Sequence, residues 1–312
     1  MNKTSIPAKT VKFIIAGLFL LNTGCATTSV KQKQALTAET KKVMDMYTGP
    51  RRKVAVIEFV NKTKFGERRL GTSAADILIT ELENTGKFIL VEREKLSKII
   101  KEQELALTGL IDSGSAAEVG KIIGVEALIT GSISQFGMKT TSSDLIITSG
   151  KKQIAEATVD IRLIDVETAG IIYADSGKGV AKSKSGKLLG VGKSAGYDET
   201  LAGKSLRAAI VGFVKNIVAR ISERPWACSI VEVETDAIYL DAGKESGLKI
   251  GSKLNVYKLG KSIKNPATGE VIGQKKEKVA EIKVKEHFGN NGAIAELTSG
   301  TMPAVKDRCL LE

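Results

Sequence analysis

The chain has 312 residues, 42% of them hydrophobic, enough to bury a core and to divide into two domains. Its 47 Lys+Arg against 35 Asp+Glu give a net charge of +12, a balance that suits an anionic partner, yet no arginine cluster or aromatic-interleaved basic motif accompanies it, which argues against nucleic acid. One histidine and three widely separated cysteines leave no metal-ligand spacing, so neither a cofactor nor a catalytic role is expected.

The N-terminus carries Lys3, Lys9 and Lys12, then the apolar stretch Phe13 to Leu21, then Asn22-Thr23-Gly24-Cys25. That is a charged region, a hydrophobic region and a small-residue cleavage site. The stretch is too short to span ~30 Å of hydrocarbon at ~20 residues per crossing. Leu-Asn-Thr-Gly-Cys resembles a lipobox, which implies cleavage before Cys25 and acylation of its thiol. Residues 1–24 read as a lipoprotein signal peptide. Ala26, in place of an aspartate, implies sorting to the outer membrane, with the folded part facing the periplasm and Cys25 holding membrane lipid. Without the leader, 44 basic residues face 35 acidic ones, a net of about +9. Residues 25–50, rich in Thr, Lys and Gln and ending in Gly49-Pro50, read as a flexible tether.

Val54 to Val60 is short, apolar and β-branched, and reads as a buried strand. A polar loop follows from Asn61 to Leu70. A helix is expected from about Thr72 to Glu83, with Gly86 just past its end. Phe88 to Val91 reads as a second strand, and Leu96, Ile99, Ile100 and Leu107 mark a helix after it. Ser115 and Glu118 form a capping-box signature for a short helix ending at Gly124. Ala127 to Phe136 reads as a third strand, and 157–166 with 170–174 as a hairpin around Glu167-Thr168-Ala169-Gly170. The longest helix is expected from about Thr200 to Ile221. The fold class is therefore an α/β domain over 51–224, with a mixed sheet and a long C-terminal helix.

After Arg224-Pro225-Trp226 the texture changes to short alternating runs broken by glycine, which predicts a small all-β barrel domain over 225–312. Cys228 and Cys309 stand at its two ends, where first and last strands often lie side by side. A disulfide there would close a loop of roughly 80 residues and contribute on the order of 4 kcal/mol. His287, in a Gly-rich stretch, reads as a surface residue. Gly192-Lys193-Ser194 lacks the spacing and strand–helix context of a phosphate loop.

Lys53-Val-Ala-Val-Ile-Glu-Phe with Asn61, Gly86-Lys-Phe, Val91-Glu92-Arg93, Gly124-Val125-Glu126-Ala127, Thr130-Gly131-Ser132-Ile133 and Ile161-Arg-Leu-Ile-Asp-Val-Glu-Thr occur in an order that resembles the CsgG/HfaB family of curli production and transport lipoproteins. The resemblance covers roughly residues 25–224. The tail, with Asn265-Pro266-Ala-Thr268-Gly269-Glu270, resembles the C-terminal barrel of the flagellar protein FlgT. The family resemblance implies a homo-oligomeric ring in the outer membrane that passes unfolded secreted polypeptide through a barrel shared between subunits, each adding two hairpins.

Two segments are candidates for such hairpins, 134–159 and 173–197. Tyr173 and Tyr197 close the second as candidate interfacial girdle residues. The loop after the first strand corresponds to the family's constriction loop, where Asn61 and Phe65 are the constriction candidates. Spanning strands need about 9 to 11 residues with lipid-facing apolar positions alternating with lumen-facing ones. Apolar positions are thin in both: Phe136, Met138, Leu145, Ile146, Ile147, Ala155, Ala157 and Val159 in the first, and Gly177, Gly179, Ala181 and Ser183 on the outer face of the second. Two readings stay open: membrane-crossing hairpins of a secretion channel, or solvated flaps on a periplasmic scaffold that binds envelope-assembly proteins.

Overall fold

The first strand, β1 (Arg52–Val56), is apolar on both sides because it is buried on both sides. Val54 and Val56 enter one core cluster, Ala55 and the following Ile57 another. The computed structural model describes Tyr47 and residues 49–57, 59–92, 96, 98, 113–144, 148–188, 191–192, 199–267 and 271–312. β1 pairs in parallel with β3 (Phe88–Leu90) and with β4 (Ala127–Asp144), and β2 (Val60–Asn61) runs parallel to β4. From there the sheet turns antiparallel, through β5 (Thr148–Asp165), β6 (Ile171–Leu188) and β7 (Val191–Gly192). It is a mixed sheet in the order β3-β1-β4-β5-β6-β7, and the module is an α/β fold.

Helices lie on both faces of this sheet. α1 (Glu67–Asn84) and α3 (Glu199–Ser222) share the larger core with Val54, Ile129, Ile161 and Leu163. Leu206, Ile210, Phe213 and Ile217 form the buried stripe of α3, each worth about 1.5–3 kcal/mol when removed from water. α2 (Ser113–Ile123) packs Ala116 and Val119 on the opposite face, with Leu96, Leu128 and Ile164.

The second module is a ring of six strands: β8 (Ala227–Val233), β9 (Ile238–Leu240), β10 (Lys253–Lys264), β11 (Val271–Phe288), β12 (Gly292–Gly300) and β13 (Arg308–Leu311). The order is β10-β11-β12-β9-β8-β13, and β13 pairs back with β10, so the sheet closes. Trp226, Ile230, Val256 and Ile282 fill the inside.

Several elements differ from their expected bounds, for identifiable reasons. α1 begins at Glu67 rather than near Thr72, because Gly66, in the left-handed region at φ 71°, makes the break, while Gly71 sits inside the helix. A Cβ on Gly71 would stand 1.9 Å from the Phe59 carbonyl oxygen, so this glycine permits close approach and does not end a helix. α2 starts at Ser113, which places Ser115 inside the helix and not at its cap. Of the helix expected after β3, Leu96 and Lys98 are helical, and Ile99, Ile100 and Leu107 lie outside the described residues. Each of β4, β5 and β6 runs for 18 residues, well past the core.

Candidate functional site: the strand arms and the seam between the modules

The distal halves of β4, β5 and β6 form three antiparallel arms whose register sets two different faces. One face carries the cross-strand rows Gln135-Thr158-Lys178, Gly137-Glu156-Val180 and Lys139-Ile154-Lys182. Lys139, Lys152, Lys178 and Lys182 are exposed there, with Glu156 the acid among them. Each lysine would cost about 2 to 4 kcal/mol facing lipid at mid-depth, so this face suits water.

The other face carries Phe136, Met138, Ala155, Ala157, Gly177, Gly179 and Ala181, and α3 lies on it. Ala155 and Ala181 pack with Leu201 of α3, beside Phe136 and Met138. A Cβ on Gly177 would meet the Ala209 carbonyl oxygen at 2.2 Å, and one on Gly179 the Ser205 oxygen at 2.0 Å. The small residues are there because the helix backbone touches the sheet. This helix seat lies on the outgoing arm of the expected second hairpin, 173–197, whose return arm is described only at 191–192. The outgoing arm continues to Leu188 and pairs along its length with β5, while β7 contributes two residues and α3 starts at Glu199. The first candidate, 134–159, lies within the β4–β5 hairpin, whose tip, residues 145–147, is outside the described residues.

The other sequence candidates are tied into their own subunit. Asn61 Nδ2 donates to the Phe65 carbonyl oxygen (2.6 Å), and its Oδ1 accepts from the Thr63 N–H (3.0 Å) and hydroxyl (2.7 Å). Phe65 rests on Phe136 at 4.6 Å between ring centroids and packs on the core. The loop is thus a side-chain-knotted turn with its aromatic folded inward. Tyr173 donates to the Asp175 carboxylate, which also accepts from Asn216 of α3 (3.3 Å). Burial and that hydrogen bond push the Tyr173 phenol up to about 12. Tyr197 and Cys25 lie outside the described residues, as do Lys193 and Ser194. His287, in β11, has Nε2 2.7 Å from the Leu248 carbonyl oxygen and serves as a structural contact of the barrel.

The seam between the modules was not legible in the sequence, since its partners are far apart along the chain, by 74 residues for Arg52 and Glu126 and by 173 for Arg52 and Pro225. Arg52, 2% exposed, reaches from β1 to the Glu126 carboxylate (2.7 Å), the Pro225 carbonyl (3.0 Å) and the Arg224 carbonyl. Trp226 Nε1 donates to the Arg51 carbonyl (3.1 Å), and Arg224 pairs with Asp165. From the barrel, Lys276 reaches Glu167 at 2.9 Å and Arg308 lies 3.7 Å from it.

Burial raises the Glu167 carboxyl, but the Lys276 hydrogen bond and the charges of Lys276, Arg308 and Arg224 outweigh it and hold the group below its ordinary value of 4.5. A depressed carboxylate adds stability above its unfolded value that is lost as the pH falls through the folded one. Barrel docking should therefore loosen below about pH 4.5, read as faster amide hydrogen exchange in the residues that flank the seam. Glu167→Gln should flatten that dependence; an unchanged profile would count against the assignment.

Cys228 and Cys309 face each other across β8 and β13. Both are buried free thiols, so the bridge expected from their positions is not formed in this structure. Ile230 N–H donates to Asp307 O and Leu311 N–H to Trp226 O, which makes Cys228–Cys309 a hydrogen-bonded pair of the ladder, with Cα atoms about 5.5 Å apart. A disulfide accepts that Cα spacing but wants Cβ atoms about 1 Å closer than such a pair gives. The Cys309 sulfur and burial hold the Cys228 thiol protonated, well above its usual range. Native protein should thus resist maleimide. After unfolding without reductant both cysteines should be alkylated; if neither reacts, the pair is oxidised and the ladder spacing has yielded to a bridge.

Comparison with known proteins bears on this architecture. The family model described as "Curli production assembly/transport component CsgG" matches residues 37–246, which takes in the α/β module and the first two barrel strands. A protein of Neisseria meningitidis serogroup B, named as lipoprotein NMB1126/NMB1164, is 30% identical over 226 residues, 68% of this chain and 95% of that one. Among solved structures, the LpoB C-terminal domain from Escherichia coli is 19% identical, covering 46% of this chain and 93% of that one at a TM-score of 0.33. The PelC dodecamer from Paraburkholderia phytofirmans is 14% identical, covering 57% and 91% at a TM-score of 0.32. At those scores neither structure bears on the assignment, which rests on sequence: the chain belongs to the CsgG family.

Proposed function

We propose that this protein is an envelope-assembly lipoprotein, held at the outer membrane through Cys25, that works as a docking scaffold with its strand arms kept closed under α3. The observation that carries this reading is the helix backbone seated on Gly177 and Gly179. A face built for lipid needs bulky apolar side chains at alternate positions, whereas this one has small residues cut to fit a helix. The water-suited face with its lysines then needs no lumen. Asn61 and Phe65, spent on their own turn and core, fit a scaffold as well. Among the described residues no helix is long and apolar enough to cross a membrane, so within them a crossing would fall to strands.

A ring-forming exporter of secreted polypeptide is the second reading, favoured by the family's description as a transport component. It requires α3 to leave the arms. Cysteines at positions 181 and 201, Ala181→Cys with Leu201→Cys, would staple helix to arm, since these side chains pack together. On the scaffold reading, stapled protein restores the envelope phenotype of a deletion strain as well as unstapled protein, and the purified lipoprotein conducts no ions in planar bilayers. Loss of complementation only when the staple is closed, together with conductance only when it is open, would establish the exporter instead.

A further inference from the structure

The seam encloses a cavity of about 760 Å³, within the range of small-ligand and peptide pockets and, like many of them, between two domains. Its walls combine two properties. Ile122 at the end of α2, Val231 of β8 and Val305 before β13 all line it, and all three are exposed by half or more (53%, 51% and 50%). Apolar side chains left in water around one concavity mark an interaction site more often than chance scatter does.

Charge is the second property. Five basic side chains line the cavity (Lys121, Arg224, Lys276, Lys306, Arg308) against three acidic ones (Glu126, Glu167, Asp241). The acids are already engaged: Glu126 with Arg52, Glu167 with Lys276, and Asp241 Oδ1 with the Ser229 N–H at 2.6 Å. Lys121 and Lys306 are exposed and form no ion pair among the described residues. Arg308 spends Nη1 on Ser229 Oγ (3.1 Å), and its buried Nε faces the Glu167 carboxylate at 3.7 Å, so this guanidinium is already engaged. Two exposed ammonium groups without an ion pair, on a wall whose basic side chains outnumber acids that are already engaged, suit a carboxylate.

We propose that this cavity binds a segment of a partner polypeptide that presents a carboxylate next to an apolar side chain. The carboxylate meets the ammonium groups of Lys306 and Lys121, and the apolar side chain fills the space between Ile122, Val231 and Val305. A lipid acyl chain fits less well, because the apolar positions are interrupted by charged ones instead of running continuously. The assignment does not depend on whether the arms stay closed, because no arm residue lines the cavity.

Fluorescence anisotropy on the whole lipoprotein in detergent tests it, with a fluorescein-labelled peptide of Leu-Glu pairs spaced by Gly-Ser. The Leu-Lys and Ser-Glu versions serve as comparisons, and phosphatidylglycerol vesicles as competitor. Binding should be confined to the Leu-Glu peptide, weaken with added salt, and fall about tenfold or more, a 1.4 kcal/mol change, in Ile122→Glu, Val305→Glu and Lys306→Gly. The two hydrophobic positions are half exposed, and Lys306 sits at φ 76°, a conformation glycine prefers, so all three variants should fold; circular dichroism checks this. Equal binding of the Leu-Lys peptide, variants that bind like the parent, no binding at all, or displacement by vesicles that the same three variants abolish would each overturn the proposal, the last in favour of a lipid surface.

Discussion

Replacing Gly179 with valine should lower the unfolding free energy by about 3 kcal/mol or more, and the melting temperature of the α/β module by roughly 6–12 °C. The cause is local and steric. A Cβ at this position would lie 2.0 Å from Ser205 O, 2.4 Å from Ala209 N and 3.0 Å from Ala208 C, all backbone atoms of α3 that no rotamer change can move aside. Either the helix lifts or the strand bows, and both open the core that holds Leu206, Ile210 and Phe213. Gly212 provides the opposite sign within the same helix. It is exposed, nothing lies within 4 Å of the place a Cβ would take, and Gly212→Ala should stabilise by about 0.5–1 kcal/mol through helix propensity alone. Urea unfolding of the two variants measures both. The pair also separates the functional readings. Were the Gly179 face presented to lipid in the working state, valine there would be an improvement in apolar area, and activity would survive or rise while the isolated soluble fold weakened. A Gly179→Val protein as stable as the parent would remove the helix-seat explanation altogether.

That same face explains what could and could not be read from the chain. The order of elements was legible because each carries its own period: Val54 to Ile57 has the continuous apolar run of a strand buried on both sides, although the strand ends at Val56, short of the expected Val60, and Leu206 to Ile221 has the 3.6-residue stripe of a helix lying on a sheet. The closure of the barrel followed the glycine-punctuated alternation after Trp226. What failed was the meaning of glycine. Gly177 and Gly179 looked like the poor outer face of a membrane strand, because a sequence records that a side chain is missing but not which backbone occupies its place. Strand length misled for a related reason. Residues beyond the core alternate small and basic, and that pattern fits a solvated arm under a helix as readily as a barrel wall. The seam was invisible for a third reason: Arg52, Glu126, Glu167, Arg224 and Lys276 are unexceptional charged residues until the chain brings them together.

Arg52 is where that seam is most vulnerable. Arg52→Met should destabilise the protein by about 3–5 kcal/mol, because it leaves the Glu126 carboxylate and the carbonyls of Arg224 and Pro225 buried without their donor. Arg52→Lys should recover only part of this, since one ammonium cannot serve three acceptors spread across a planar fork. The loss should also depend on pH, with a sign fixed by Glu126. Burial lifts its carboxyl above the ordinary 4.5, and the Arg52 charge and hydrogen bond pull against that lift. An acid with a raised folded pKa favours folding when protonated, a contribution fully present below about 4.5 and lost as the pH rises through the folded value. Removing Arg52 removes the pull, raises the folded value further and moves that loss to higher pH. The difference between parent and Arg52→Met should therefore be largest near neutrality and shrink as the pH drops toward 5, opposite in direction to the acid loosening expected from Glu167. In Arg52→Met/Glu126→Gln the pH dependence of the difference should vanish, although the two carbonyls remain unpaired and keep part of the cost. A cost that stayed constant across pH would mean that Glu126 is neutral in the parent or reached by water, and that Arg52 holds the modules together through the linker carbonyls alone.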